Sequence, residues 1–215
     1  MDMTMNALPS WLTPLAWVFL ALAVASAAAI AYDIYGRGHR HARPADELVW
    51  VGSALYLGPF ALAGYARRGR ATGGDRVASS TVAGLPGGSA SAVAHLVGVP
   101  VVIASGLTIA GINLWVMILV IAGLAVVLLF GYERASGTAG PVTVAAALAA
   151  AVLTVLAFDI GMGGWMLVLH VNGFMPPAST ASFWLLMQAG IVLGLVTGYP
   201  AVRWLARRNR GAAVT

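Results

Sequence analysis

The sequence predicts an all-α fold, a polytopic transmembrane helical bundle of about six helices with a broken third segment. Three observations predict it. Hydrophobic residues make up 60% of the 215 residues and charged residues only 9%, with a mean hydropathy of +0.87, whereas roughly a quarter of a soluble domain is charged. Apolar stretches of about 20 residues, the length that crosses a hydrocarbon core of about 30 Å, recur along the chain. The charged residues collect in the connections between them. The length then fits one domain over residues 1–215, with no room for a soluble one.

The first segment, residues 11–33, is flanked by Trp11 and Trp17 at one end and by Tyr32 and Tyr35 at the other, as aromatic belts are. The preceding MDMTMNALPSW has neither Arg nor Lys, so it lacks the basic start of a signal peptide and is read as uncleaved. The connection GRGHRHARPADE holds Arg37, Arg40 and Arg43, with His39 and His41 alternating between them. Two such histidines with no third ligand nearby are read as solvated sequence before they are read as a metal site.

The second segment, 48–66, contains Pro59, which removes a backbone donor and implies a kink. It ends in YARRGR, where Arg67, Arg68, Arg70 and then Arg76 form a basic anchor. The third segment, 82–110, is expected to be interrupted at Gly84 to Gly88 and by Pro100. Such breaks are tolerated only inside protein or beside a water-filled cavity. Gly87 and Gly88 also suit close helix packing, which is the preferred reading of them. His95 shares a helical face with Ser91 and is a buried imidazole.

The fourth segment, 112–132, is almost continuously apolar and reads as lipid-facing scaffold. The fifth, 142–171, carries Asp159, Met162, Met166 and His170, whose steps of three, four and four make one helical stripe. The sixth, 181–205, spaces Gly190, Gly194 and Gly198 four apart, a ridge for close association with an internal partner or with a second copy as a homo-oligomer. Gln188 is its one long polar residue, and Arg203, Arg207, Arg208 and Arg210 anchor its end.

Net charge is +5 and the pI is about 10.2, yet all basic residues are arginines in connections or at helix ends. That pattern sets orientation and meets lipid headgroups; it does not point to nucleic acid. Six spans put nine of the twelve arginines on the side of both termini, which places the N- and C-termini in the cytoplasm of a bacterial inner membrane. A re-entrant second segment would instead gather all twelve on one side. The absence of Cys excludes disulfides, iron–sulfur clusters and thiolate chemistry within the chain. No close carboxylate pair, HExxH or phosphate loop is present, and the reading leans away from an enzyme.

Ionisable groups at membrane depth cost about 2.5–3.5 kcal/mol each on translocon scales and usually face a bundle interior. Asp159, His170, His95 and Gln188 are therefore the candidate polar intramembrane site, with Asp159 and the two histidines expected around one space between the third and fifth segments. The bland alternative has Asp159 and His170 solvated near opposite ends of their helix. The leading functional reading is a transporter or channel-like protein for an ion or small solute. One alternative is a structural or assembly subunit joined through its glycine ridges. The other is copper handling or haem binding: His95, Met162, Met166 and His170 are soft or borderline ligands suited to Cu(I), and paired imidazoles can clamp a haem. Neither copper nor haem is favoured as a cofactor.

The stretches ELVWVGSALYLGPFALAGYARRGR, DIGMGGWM and FWLLMQAGIVLGLVTGYPAVRWLARR combine patterns that resemble a bacterial integral-membrane family, domain-of-unknown-function family 4396. The resemblance covers most of the chain from the first segment onward and implies a fold, not an activity. Some members are labelled copper oxidase, and many carry a His–Cys–x–x–x–Cys-like motif in the third segment, which implies metal handling among them. The matching stretch here, GLPGGSASAVAHLVGVP, has neither Cys, so that thiolate site is lost, and His95 lies nearby without being its equivalent.

Overall fold

The structure is a computed structural model that describes residues 8–41, 43–70, 84–109, 111–136 and 143–207. It is an all-α bundle, as the composition implies. Among the described residues five helices are long and apolar enough to cross a membrane: Leu12–Gly36, Leu85–Ser105, Asn113–Ala135, Val144–Val171 and Ala181–Leu205. The first of these is α1, Leu12–Ala31, extended by a π-helical turn at Tyr32–Gly36. The other four belong to α4 (Leu85–Ser105), α5 (Asn113–Ser136), α6 (Val144–Val171) and α7 (Ala181–Arg207).

The segment expected at 48–66 is not one helix. It is α2, Pro44–Leu57, then Gly58, then α3, Pro59–Gly64, closed by a second π-helical turn at Tyr65–Gly69. Gly58 sits at φ 56°, ψ −129°, a conformation open to a residue without Cβ. Pro59 is the first residue of α3, where its missing N–H costs nothing, so the expected kink is a full reversal. The Trp50 ring of α2 meets the Tyr65 ring edge-on at 5.6 Å, which places the two arms side by side as a hairpin. Ala27 and Ile30 of α1 and Ile34 of its π-helical turn pack with Trp50, Ala54, Ala61 and Tyr65 into a core of their own.

Among the described residues the break expected in the third segment is absent. Leu85–Ser105 is one helix, and Gly84, at φ 98°, is the residue before it. Pro86 then falls in the first turn, where proline is tolerated, so Gly84 to Gly88 mark a beginning. Pro100 interrupts only one backbone bond and α4 continues past it. Residues 82, 83 and 110, which the expected segment includes, lie outside the described residues.

Polar contacts fix which ends lie together. Thr13 and Ser182 hydroxyls are 3.2 Å apart, so α1 and α7 begin at one end. At the other, Arg70 donates to both oxygens of Asp33, at 2.7 and 3.0 Å, and Tyr132 of α5 donates to Asp46 at 3.1 Å. Every arginine among the described residues, Arg37, Arg40, Arg43, Arg67, Arg68, Arg70, Arg134, Arg203 and Arg207, stands at this second end. Arg76, Arg208 and Arg210 lie outside the described residues. The two ends of the described chain are thus at opposite ends of the bundle, unlike the six-span expectation.

The tightest pairing is α6 against α7. A Cβ on Gly161 would stand 2.5 Å from the Leu193 carbonyl oxygen, and one on Gly194 would stand 2.7 Å from the Phe158 ring. One on Gly190 would meet the Met162 sulfur at 2.5 Å. The ridge of the last helix therefore packs inside the chain, against α6, the internal partner that was one of its two expected uses. Gly88 likewise admits the Tyr56 hydroxyl of the hairpin, and Gly87 faces Thr154 of α6.

Candidate functional site

Four helices, α4 to α7, line a partly open cavity of about 40 Å³. His95 and Val99 line it from α4, Leu114, Met117 and Ile121 from α5, Asp159, Met162 and Met166 from α6, and Phe183 from α7. The spacing along α6 produces its share of the wall: three residues and then four return to the same face. Glycine opposite fixes one of them, because Gly190 leaves room for the Met162 sulfur. Trp165 beside it donates to the Leu186 carbonyl at 2.9 Å and ties α6 to α7 at this level.

His95 is 6% exposed. Its Nδ1 lies 2.8 Å from the Ser91 carbonyl oxygen one turn back, with the Ser91 hydroxyl at 3.3 Å. A carbonyl only accepts, so Nδ1 carries the hydrogen, and in the neutral ring Nε2 keeps its lone pair. Fixing one ring nitrogen on a backbone carbonyl is how proteins orient an imidazole for metal or proton chemistry at the other. Asp159 is partly buried and brings a carboxylate to the same walls. In an otherwise apolar lining the lone-pair donors are one imidazole, one carboxylate and three thioethers.

The structure divides the sequence-derived candidates. Asp159, His95, Met162 and Met166 share the cavity, whereas His170 and Gln188 do not line it. His170 is half-buried in the last turn of α6. Gln188 is buried beside the hairpin, where its Nε2 donates to the Leu55 carbonyl at 2.8 Å, capping a group left over by the break at Gly58. Met117 is the residue that the sequence does not single out. It comes from α5, expected to be scaffold only, yet Leu114, Met117 and Ile121 form a wall. Of the two imidazoles that a haem would need, only His95 lines this space.

His39 and His41 also part company. His39 Nδ1 is 3.4 Å from Asp33 Oδ2, while His41 Nε2 is 2.6 Å from the Gly69 carbonyl oxygen. Among the described residues no group of three or more His, Asp or Glu is placed to hold a metal. Both histidines belong to a clasp at the base of the hairpin. There Arg40 donates to Glu47 at 2.8 and 3.1 Å, the His41 N–H donates to Glu47 at 2.9 Å, and Tyr65 donates to Asp33 at 3.0 Å. Burial pushes the Glu47 carboxyl up, but the hydrogen bonds and charge of Arg40 and the His41 N–H outweigh it and hold the group below its usual value.

The family model described as Domain of unknown function (DUF4396) matches residues 76–211. The chain belongs to this family. The match begins well after the first segment, so it covers less of the chain than the resemblance implied. Within it lie α4 to α7 complete, and with them every wall of the cavity, while α1 and the hairpin stand outside. No curated protein and no solved structure matches the chain.

Proposed function

We propose that this DUF4396 member is a carrier or channel-like protein for a small cation, working in a bacterial inner membrane, with the cavity of α4 to α7 as its binding station. The observation that supports the reading is the meeting of His95, Asp159, Met117, Met162 and Met166 around one space in a membrane-crossing bundle. Ionisable groups at that depth are costly and mark ion or proton paths more often than packing. The donors offer lone pairs only, while all described arginines stand at the end of the bundle, so the station favours a cation over an anion. A volume of about 40 Å³ has room for one ion or about one to three waters.

The test is flux into liposomes holding the purified protein, with K⁺, Na⁺ and Ag⁺ tried in turn. At least one ion is expected to enter faster than into protein-free liposomes, and Asp159→Asn and His95→Phe to abolish that excess while melting as the wild type does. Flux for none of the ions, or undiminished flux in both variants, would sink the proposal.

Met117 favours a second, narrower reading, copper handling. Thioethers and a neutral imidazole are soft or borderline ligands that select Cu(I), and a single carboxylate balances one positive charge. The chain has no Cys, so any such site is built without thiolate. Metal analysis of the purified protein before and after Met162→Leu with Met166→Leu separates this from a hard-cation station.

A further inference from the structure

We infer that residues 44–70 enter and leave the bilayer on the same side, that the arginine end of the bundle is cytoplasmic with the N-terminal end outside, and that the α4–α7 cavity loads from outside. The part about loading rests on the function proposed above; the part about topology does not.

The hairpin is too short to cross in either arm. At 1.5 Å per residue the 14 residues of α2 reach about 21 Å, and the 11 from Pro59 to Gly69 reach about 16 Å, against a core of about 30 Å. Its base is tied to one place. Arg70, just past its second arm, grips Asp33 at the end of α1, and His41, just before its first arm, contacts the Gly69 carbonyl at 2.6 Å. Its tip reaches α7, where Gln188 caps Leu55. Backbone groups freed at a break inside the membrane must be satisfied by protein, and Gln188 does so.

A hairpin of this kind changes the parity of the chain. With five crossings the two ends fall on opposite sides, and the arginines no longer split. The connections at the far end, residues 106–112 and 172–180, hold no charged residue at all. An arginine-rich face opposite an uncharged one is the strongest form of the positive-inside pattern, and it sets the arginine end in the cytoplasm.

The cavity then has a side. Leu114 is the second residue of α5 and Phe183 the third of α7, and Met166 lies in the second-last turn of α6. These helix ends are all at the uncharged face, so the cavity lies in the outer half of the bundle and its shortest route to water leads outward.

Single-cysteine labelling tests this, because the natural chain has no Cys and any label reports one position. In intact cells a membrane-impermeant maleimide should label Ser10→Cys and Asn172→Cys, and should label Gly38→Cys and Arg68→Cys only after permeabilisation. Labelling of Gly38→Cys but not Arg68→Cys in intact cells would overturn the re-entrant hairpin and restore six crossings, and labelling of both would overturn the orientation. For the loading side, Gly163→Cys is the probe: it lines the cavity, and a Cβ there meets nothing within 4 Å. A small cationic thiosulfonate should modify it from outside and not from the interior face of inverted vesicles. Modification from the interior face alone, or from neither, would overturn outward loading. Neither experiment needs transport, so a chain that carries no cation can still pass the topology test, and a working carrier can fail it.

Discussion

Gly161 and Gly164 stand three residues apart on α6, and alanine at the two should move stability in opposite directions. At Gly161 the new Cβ would lie 2.5 Å from the Leu193 carbonyl oxygen and 2.7 Å from its carbon and from Thr197 Oγ1. The obstacle is backbone and cannot rotate aside, so α6 and α7 must part, at a cost toward the upper end of the ~1–3 kcal/mol typical of overpacking. Parting also weakens the 3.1 Å approach of the Gly161 N–H to Thr197, about 1 kcal/mol more, while alanine returns about 1 kcal/mol of helix propensity. The net loss is about 2–3 kcal/mol, or about 5–10 °C in melting temperature for a chain of this size. At Gly164 a Cβ meets nothing within 4 Å, so only the propensity gain, at most about 1 kcal/mol, remains. Intrinsic fluorescence of the seven tryptophans during heating in detergent reads both. If Gly161→Ala melts at or above Gly164→Ala, the close approach of α6 and α7 is wrong.

Glu47 supplies a pH dependence. Its folded-state value is held below the ordinary 4.5, so its pairing with Arg40 contributes stability that is fully present above 4.5 and is lost as the pH falls through the folded value. Wild type should therefore lose melting temperature on acidification below that point, and Glu47→Gln should lose less; parallel pH profiles would show that the pair does not couple to folding. Gln188→Leu leaves the Leu55 carbonyl buried without its donor and should cost about 1–3 kcal/mol, with cation flux per folded protein unchanged because Gln188 does not line the cavity. Flux lost at unchanged melting temperature would place Gln188 on the ion path instead.

The bundle itself was legible because length and composition suffice to recognise a membrane helix. Asp159, Met162 and Met166 were legible because one polar group and two thioethers at helical spacing stand out from Val, Leu and Ala. Met117 was not, although Leu114, Met117, Ile121, Ala125 and Leu129 repeat at three or four residues and all are buried. In a soluble helix such a face contrasts with polar neighbours; in a membrane helix both faces are apolar and the contrast disappears. The hairpin was hidden for a related reason. Residues 48–66 are long and apolar enough to cross, and what turns them back is a single positive φ at Gly58 together with contacts from Asp33, His41 and Gln188, each distant in sequence or unremarkable alone. Gly84 to Gly88 showed the opposite error: the same residue types that can break a helix also begin one.

The two π-helical turns give the hairpin's base a property of phase. Tyr32–Gly36 and Tyr65–Gly69 each end on an N–H that reaches five residues back, from Arg37 to Tyr32 at 3.0 Å and from Arg70 to Tyr65 at 2.9 Å. A turn that takes in one extra residue rotates the chain beyond it by about 100° relative to an unbroken α-helix. The grip of Arg70 on Asp33 is thus keyed to a one-residue offset, not to the length of either helix. Slipping one such turn back to α geometry would swing Arg70 away from Asp33 while Gly58, α2 and the five long helices stayed in place, so the hairpin's lock and the bundle's frame answer to different coordinates.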